Sequence, residues 1–136
     1  MEIFKKNNDM KIIEKDVGFL QDLFGSLKDM IAYEDHCFDS FASDGNEQDL
    51  KDLDWMRRMR TFHLDLVSKE IKGHGWCKVK HLCRIGKGLQ EESARFLSIG
   101  NLEKAKECAV HYKEVYLKFV ETLGYKQGEI NMETKA

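Results

Sequence analysis

The chain has 136 residues, enough for one domain in which roughly two thirds of the unfolded surface is buried on folding. Its 22 Lys and Arg stand against 24 Asp and Glu, a net charge of −2, which excludes a global electrostatic pull toward nucleic acid or anionic lipid. Proline is absent, so long helices are favoured and glycine is left to punctuate them.

Residues 1–9 are polar and basic around Phe4, Lys5 and Lys6 and read as a flexible arm. The spacing then predicts a first helix over about 10–41, with Ile13, Val17, Leu20, Phe24, Leu27, Ile31, Glu34, Phe38 and Phe41 alternating three and four apart, the repeat of a bundle seam. Glu34 interrupts that seam. Gly18 and Gly25 lie within the helix and are either points of close backbone approach or exposed, tolerated glycines. Ser43 to Asn46 is a turn, and Asn46 is placed to cap a second helix.

The second helix, about 52–72, carries the broadest apolar face in the chain, with His63 and Glu70 inside it. An edge helix needs an apolar arc of about 100°, whereas Leu50, Leu53, Trp55, Met56, Met59, Phe62, Leu64, Leu66, Val67 and Ile71 spread over roughly twice that. The excess asks for cover. Trp55, Met59, Phe62 and Leu66 are therefore the expected interface, with a second copy or another protein as the partner.

After Gly73-His74-Gly75 a third helix is expected over about 76–99, with a seam of Val79, Leu82, Gly86, Leu89, Ser93 and Phe96. Asn101 would cap a fourth, with Leu102, Ala105, Ala109, Tyr112, Tyr116, Phe119 and Leu123 on one side. Beyond Gly124, residues 125–136 are polar and read as a flexible tail, so that the bundle domain covers 10–124. The expected fold is all-α, an up-down-up-down antiparallel four-helix bundle with short glycine-containing loops. Counting about 1.5 Å per residue along such helices puts His63, Tyr116, Phe24 and Gly86 near one mid-bundle layer.

That layer is the first candidate site. An imidazole, a tyrosine hydroxyl and the missing side chain of Gly86 would define a small polar cavity for a ligand; the alternative is a core histidine hydrogen-bonded to a group such as Tyr116. Glu34, with Ser93 and Tyr112 near its level, belongs to the same polar group, and it should be hydrogen-bonded, protonated or at a wet edge.

Metal chemistry is suggested by Cys77 with His81 and by Cys108 with His111, since each pair shares a helical face. In a hairpin turning near Gly100 the two pairs stand roughly 17 Å apart along the helices, too far for one ion. No metal and no cofactor are therefore expected. Cys37, Cys77, Cys83 and Cys108 form no short-spaced framework, no secretory segment is read before them and no apolar run approaches ~18 residues, so we expect a cytoplasmic protein with reduced thiols and no membrane association. Arg57, Arg58 and Arg60, with Lys69 and Lys72, are either a phosphate-meeting cluster or a solvated face. Aromatic residues do not interleave with them in the way base stacking needs, and nucleic acid is not an expected partner.

The run Arg58-Met59-Arg60-Thr61-Phe62-His63 resembles the arginine, apolar, three residues, histidine pattern of the HEPN helical ribonucleases. The resemblance implies metal-independent RNA cleavage at a dimer cleft, with Arg58 and His63 as catalytic residues. On a helix these two point about 140° apart. Ala94-Arg95-Phe96-Leu97 and Gly100-Asn101-Leu102-Glu103 look like the last helices of histidine phosphotransfer domains, but Lys69 stands where that family's histidine would precede Lys72-Gly73, so the resemblance implies a shared bundle shape without the phosphorelay. The leading expectation is a non-enzymatic binding or regulatory module that self-associates through the second helix. Its alternatives are the ribonuclease at Arg58 and His63, and ligand binding near His63, Gly86 and Tyr116.

Overall fold

The computed structural model describes residues 17–67 and 75–125. Four helices, with no strand among the described residues, pack as an all-α bundle: α1 (Val17–Asp44), α2 (Glu47–Val67), α3 (Gly75–Ser98) and α4 (Leu102–Thr122). The N-terminal arm, the expected helical start at Met10 to Asp16, Lys69, Glu70, Ile71 and Lys72, and the tail from Lys126 lie outside the described residues.

The turns follow from the residues that make them. Gly45 takes a φ of 72° and its amide donates to the Phe41 carbonyl at 2.7 Å, closing α1 where an L side chain would be strained. One residue later the Asn46 side chain accepts the Gln48 amide at 2.9 Å and opens α2, with Glu47 and Asp49 in the first turn complementing the helix dipole. At the end of α3, Gly100 (φ 80°) donates to Leu97 at 3.0 Å and Asn101 to Phe96 at 2.9 Å, the paired bonds of a Schellman ending. The Asn101 side chain then accepts the Lys104 amide at 3.1 Å and starts α4.

Gly124 repeats the device at the end of α4, with Gly124 N–H on Glu121 O at 2.9 Å and Tyr125 N–H on Val120 O at 3.2 Å. This ending folds the next apolar side chain back toward the helix. Tyr125, the first residue of the segment read from its polar composition as a flexible tail, is accordingly buried in the core with Val120 and Leu123.

The core is built from α1 (Leu20, Leu23, Phe24, Leu27, Ile31), α3 (Val79, Cys83) and α4 (Tyr116, Phe119, Val120, Leu123). Among the described side chains of α2, only Leu64 enters it. The helices pair most closely as α1 with α2 and α3 with α4, and α1 also packs on α3; α2 meets α3 and α4 only marginally. At the centre the Phe24 ring packs against Phe119 (4.7 Å between centroids), Tyr116 (5.3 Å) and Tyr112 (5.7 Å). It also takes the space above Gly86, where a Cβ would stand 2.7 Å from Phe24 Cζ.

Gly25 differs from Gly86, because a Cβ there would meet nothing within 4 Å. Among the described residues, no neighbouring backbone uses it for close approach. Gly25→Ala should therefore raise stability by about 0.5–1 kcal/mol through helix propensity alone, measured as a higher urea midpoint at unchanged slope.

Candidate functional site

Among the described residues, three buried charged side chains, in two groups, organise the interior: the Glu34–Arg60 pair and Lys28. The first group centres on Glu34, carried on the core side of α1, whose carboxylate is held bidentately by Arg60 of α2: Nε donates to Oε2 at 2.6 Å and Nη2 to Oε1 at 3.0 Å, with both side chains about nine-tenths buried. Of the three states open to Glu34, it takes the hydrogen-bonded one. Beside it Arg84 of α3 clamps Asp35 with bonds of 2.9 and 2.8 Å at a half-exposed position, and these hydrogen bonds hold the Arg84 guanidinium above its ordinary range.

The second group is Lys28, 6% exposed, reaching from α1 across the α3–α4 hairpin. Its Nζ donates to Gln90 Oε1 at 2.9 Å and to the Tyr112 hydroxyl, and lies 5.0 Å from the Phe24 ring centroid and 4.4 Å from that of Tyr112. No carboxylate among the described residues pairs with it; amide, hydroxyl and two aromatic faces solvate the ammonium instead. Cys83 lies in the interior with both groups. Burial pushes its thiol up to about 12, against the pull of Arg60 and Lys28, so the sulfur is an inert core atom.

The sequence-derived candidates distribute as follows. Tyr116 is buried against Phe24, and its hydroxyl has no hydrogen-bond partner among the described residues; burial raises its pKa above the ordinary tyrosine range. Phe24, Gly86 and Tyr116 do meet in one layer, with the Phe24 ring over Gly86. His63 is half-buried on α2, its ring edge-on to Phe62 at 5.4 Å. Tyr112 binds Lys28, whereas Ser93 donates to the Ala105 carbonyl at 2.9 Å, so neither turns to Glu34.

Arg58 points to solvent and pairs with Asp54 four residues earlier, at 3.1 Å. Trp55 and Phe62 are 50% and 61% exposed, Met59 is half-buried, and the Leu66 side chain lies outside the described residues. Cys77, His81, His36 and His111 are exposed while Cys108 is buried, and no group of three or more potential metal ligands occurs among the described residues.

Because α2 is held almost wholly by α1, a cleft runs between α2 and α3. Two adjacent pockets with shared lining residues lie along it. One, of about 330 Å³, is lined by Arg57, Arg60, Thr61, Leu64, Asp65, Trp76, Cys77 and Lys80; the other, of about 550 Å³, by Glu34, Asp35, Phe38, Asp39, Leu53, Arg57, Arg60, Lys80 and Arg84. Arg57, Arg60 and Lys80 line both. Of these, Arg57 and Lys80 have no ion pair among the described residues. Sequence reasoning missed Arg60 as a buried residue. The signal was its position four residues after Met56 and four before Leu64, on the side of α2 that meets α1.

Compared with known protein families, with curated proteins and with solved structures, the chain finds no match. No described helix is long and apolar enough to cross a membrane.

Proposed function

We propose that the chain is a non-enzymatic binding or regulatory module of the cytoplasm, which self-associates through α2. The observation that carries this reading is the way α2 is held. It packs on α1, sends a single leucine into the core among its described side chains, and leaves Trp55 and Phe62 half or more exposed on its outer side. The two lie seven residues apart, two turns along one edge of the helix.

Tyr33 of α1, itself 40% exposed, stands edge-on to Trp55 at 6.2 Å and extends the apolar surface onto the neighbouring helix. Aromatic anchors of this kind dominate interface energetics when they are desolvated together. A second copy placing the same edge against this one would bury both pairs about a two-fold axis, the usual symmetry of a homodimer.

Sedimentation at micromolar concentrations tests this. The expected result is a dimer whose Trp55→Ala and Phe62→Ala variants each dissociate about 30-fold more readily, the effect of losing a hot-spot side chain. Their circular dichroism should stay unchanged, since neither residue belongs to the core. A wild-type chain that stays monomeric up to several hundred micromolar would overturn the reading.

A further inference from the structure

We propose that the junction of the two grooves, where Arg57, Arg60 and Lys80 meet, binds the phosphate of a small phosphorylated molecule whose body lies against Trp76 and Leu64. The site is independent of the self-association surface: at 100° per residue, Arg57, Arg60 and Leu64 stand nearly opposite Trp55 and Phe62 on α2.

Charge is the first ground. Arg57 and Lys80 face one cleft from two helices that touch only marginally, and neither has a carboxylate partner among the described residues. Like charges across a gap that packing does not close repel one another, and a dianion between them turns that repulsion into a bridge. Arg60 adds directed donors. Glu34 engages its Nε and Nη2, which leaves Nη1 without a protein partner among the described residues, on a guanidinium already fixed in place by a bidentate bond. A tetrahedral phosphate matches several converging donors at once, whereas a halide or a lone carboxylate would satisfy fewer of them.

The acids around the cleft set the position of the anion. Glu34 and Asp35 are engaged by Arg60 and Arg84, Asp39 lines only the wider groove, and Asp65 only the narrower one. The junction is the place shared by the three cations and by neither of these last two carboxylates. Next to it the narrower groove, about 330 Å³, ends on Leu64 and on the indole of Trp76, which is 36% exposed. That volume suits a small planar or apolar body, with the indole as a stacking face.

The experiment is isothermal titration of the full chain with inorganic phosphate and with phenyl phosphate, against sodium chloride at matched ionic strength. Both phosphates should bind, phenyl phosphate more tightly, and chloride should not. Arg57→Ala and Lys80→Ala should each weaken binding about tenfold, as expected for loss of a charge-assisted hydrogen bond. Arg58→Ala, whose side chain is exposed and pairs with Asp54, should leave it unchanged. Glu34→Gln, which removes the carboxylate competing for Arg60, should tighten binding, a gain that mere loss of stability cannot produce.

Equal binding by wild type and the Arg57→Ala/Lys80→Ala double variant, or a chloride response equal to that of phosphate, would overturn the site. Equal affinity for the two phosphates, unchanged by Trp76→Ala, would overturn the placement of the ligand body. Each of these readouts stands whether or not the chain dimerises, so failure here and failure of self-association are told apart.

Discussion

Arg60→Ala is expected to lower the free energy of unfolding by about 3–5 kcal/mol, a third or more of the stability of an ordinary domain. The attraction between Arg60 and Glu34 is only part of that number. Removing the guanidinium leaves a carboxylate that is nine-tenths buried, adjacent in sequence to Asp35, and the cost is that of stranding it. Glu34→Ala should cost less, because Arg60 borders both grooves and Glu34 only the wider one, and the longer guanidinium side chain reaches water more readily once unpaired. Arg58→Ala is the control: the Arg58–Asp54 pair is 74% and 62% exposed, and its loss should change stability by less than about 0.5 kcal/mol. Replacing both buried partners, as Glu34→Leu with Arg60→Met, should recover most of the loss, since an apolar pair of similar volume avoids desolvating two charges. Urea unfolding followed by circular dichroism measures all four. A double variant as unstable as Arg60→Ala would show that the pair is needed for packing geometry and not for charge compensation.

The fold was more legible than the site, for a physical reason. Helix ends are local. Gly45, Gly100 and Gly124 adopt the positive φ that a C-terminal stop needs, and Asn46 and Asn101 cap through side chains that reach only two or three residues, so a short window of sequence contains the whole device. The same rule, applied one step further, places Tyr125 in the core as the apolar residue after a Schellman glycine.

What a window does not contain is which side of a broad apolar arc meets the neighbours. On α2 the arc around Trp55, Met59 and Phe62 drew attention to His63, whereas the contact face turns toward Arg60 and Leu64. Periodicity cannot choose between those sides when apolar residues cover both, and the choice is made by Glu34 on another helix, 26 positions away. Lys28 escaped notice for the same reason. It lies beside the α1 seam, one turn after Phe24, and its partners Gln90 and Tyr112 stand 62 and 84 positions along the chain. A lysine adjoining a seam ordinarily extends to solvent; here the aromatic faces of Phe24 and Tyr112 receive its ammonium instead.

Phe24→Ala should be comparable in cost to Arg60→Ala, about 3–5 kcal/mol, because the ring is fully buried and three other aromatic rings pack around it. The truncation also removes one of the two aromatic faces over which Lys28 Nζ sits. The sharper test couples it to Gly86. In the wild-type chain Gly86→Ala sets two effects against each other. Helix propensity favours alanine by about 1 kcal/mol, but the new Cβ would stand 2.7 Å from Cζ and 3.2 Å from Cε2 of Phe24. Phe24 has no easy retreat, being wedged against Phe119 at 4.7 Å, so overpacking at about 1–3 kcal/mol outweighs the propensity and the variant should be less stable. In the Phe24→Ala background the obstructing ring is gone. Gly86→Ala should then become stabilising by up to about 1 kcal/mol, through propensity and partial filling of the cavity. A sign change of this kind in a double-mutant cycle reports direct contact between the two sites. If Gly86→Ala had the same effect in both backgrounds, the ring would not stand over Gly86, and the layer joining Phe24, Gly86 and Tyr116 would have to be rebuilt.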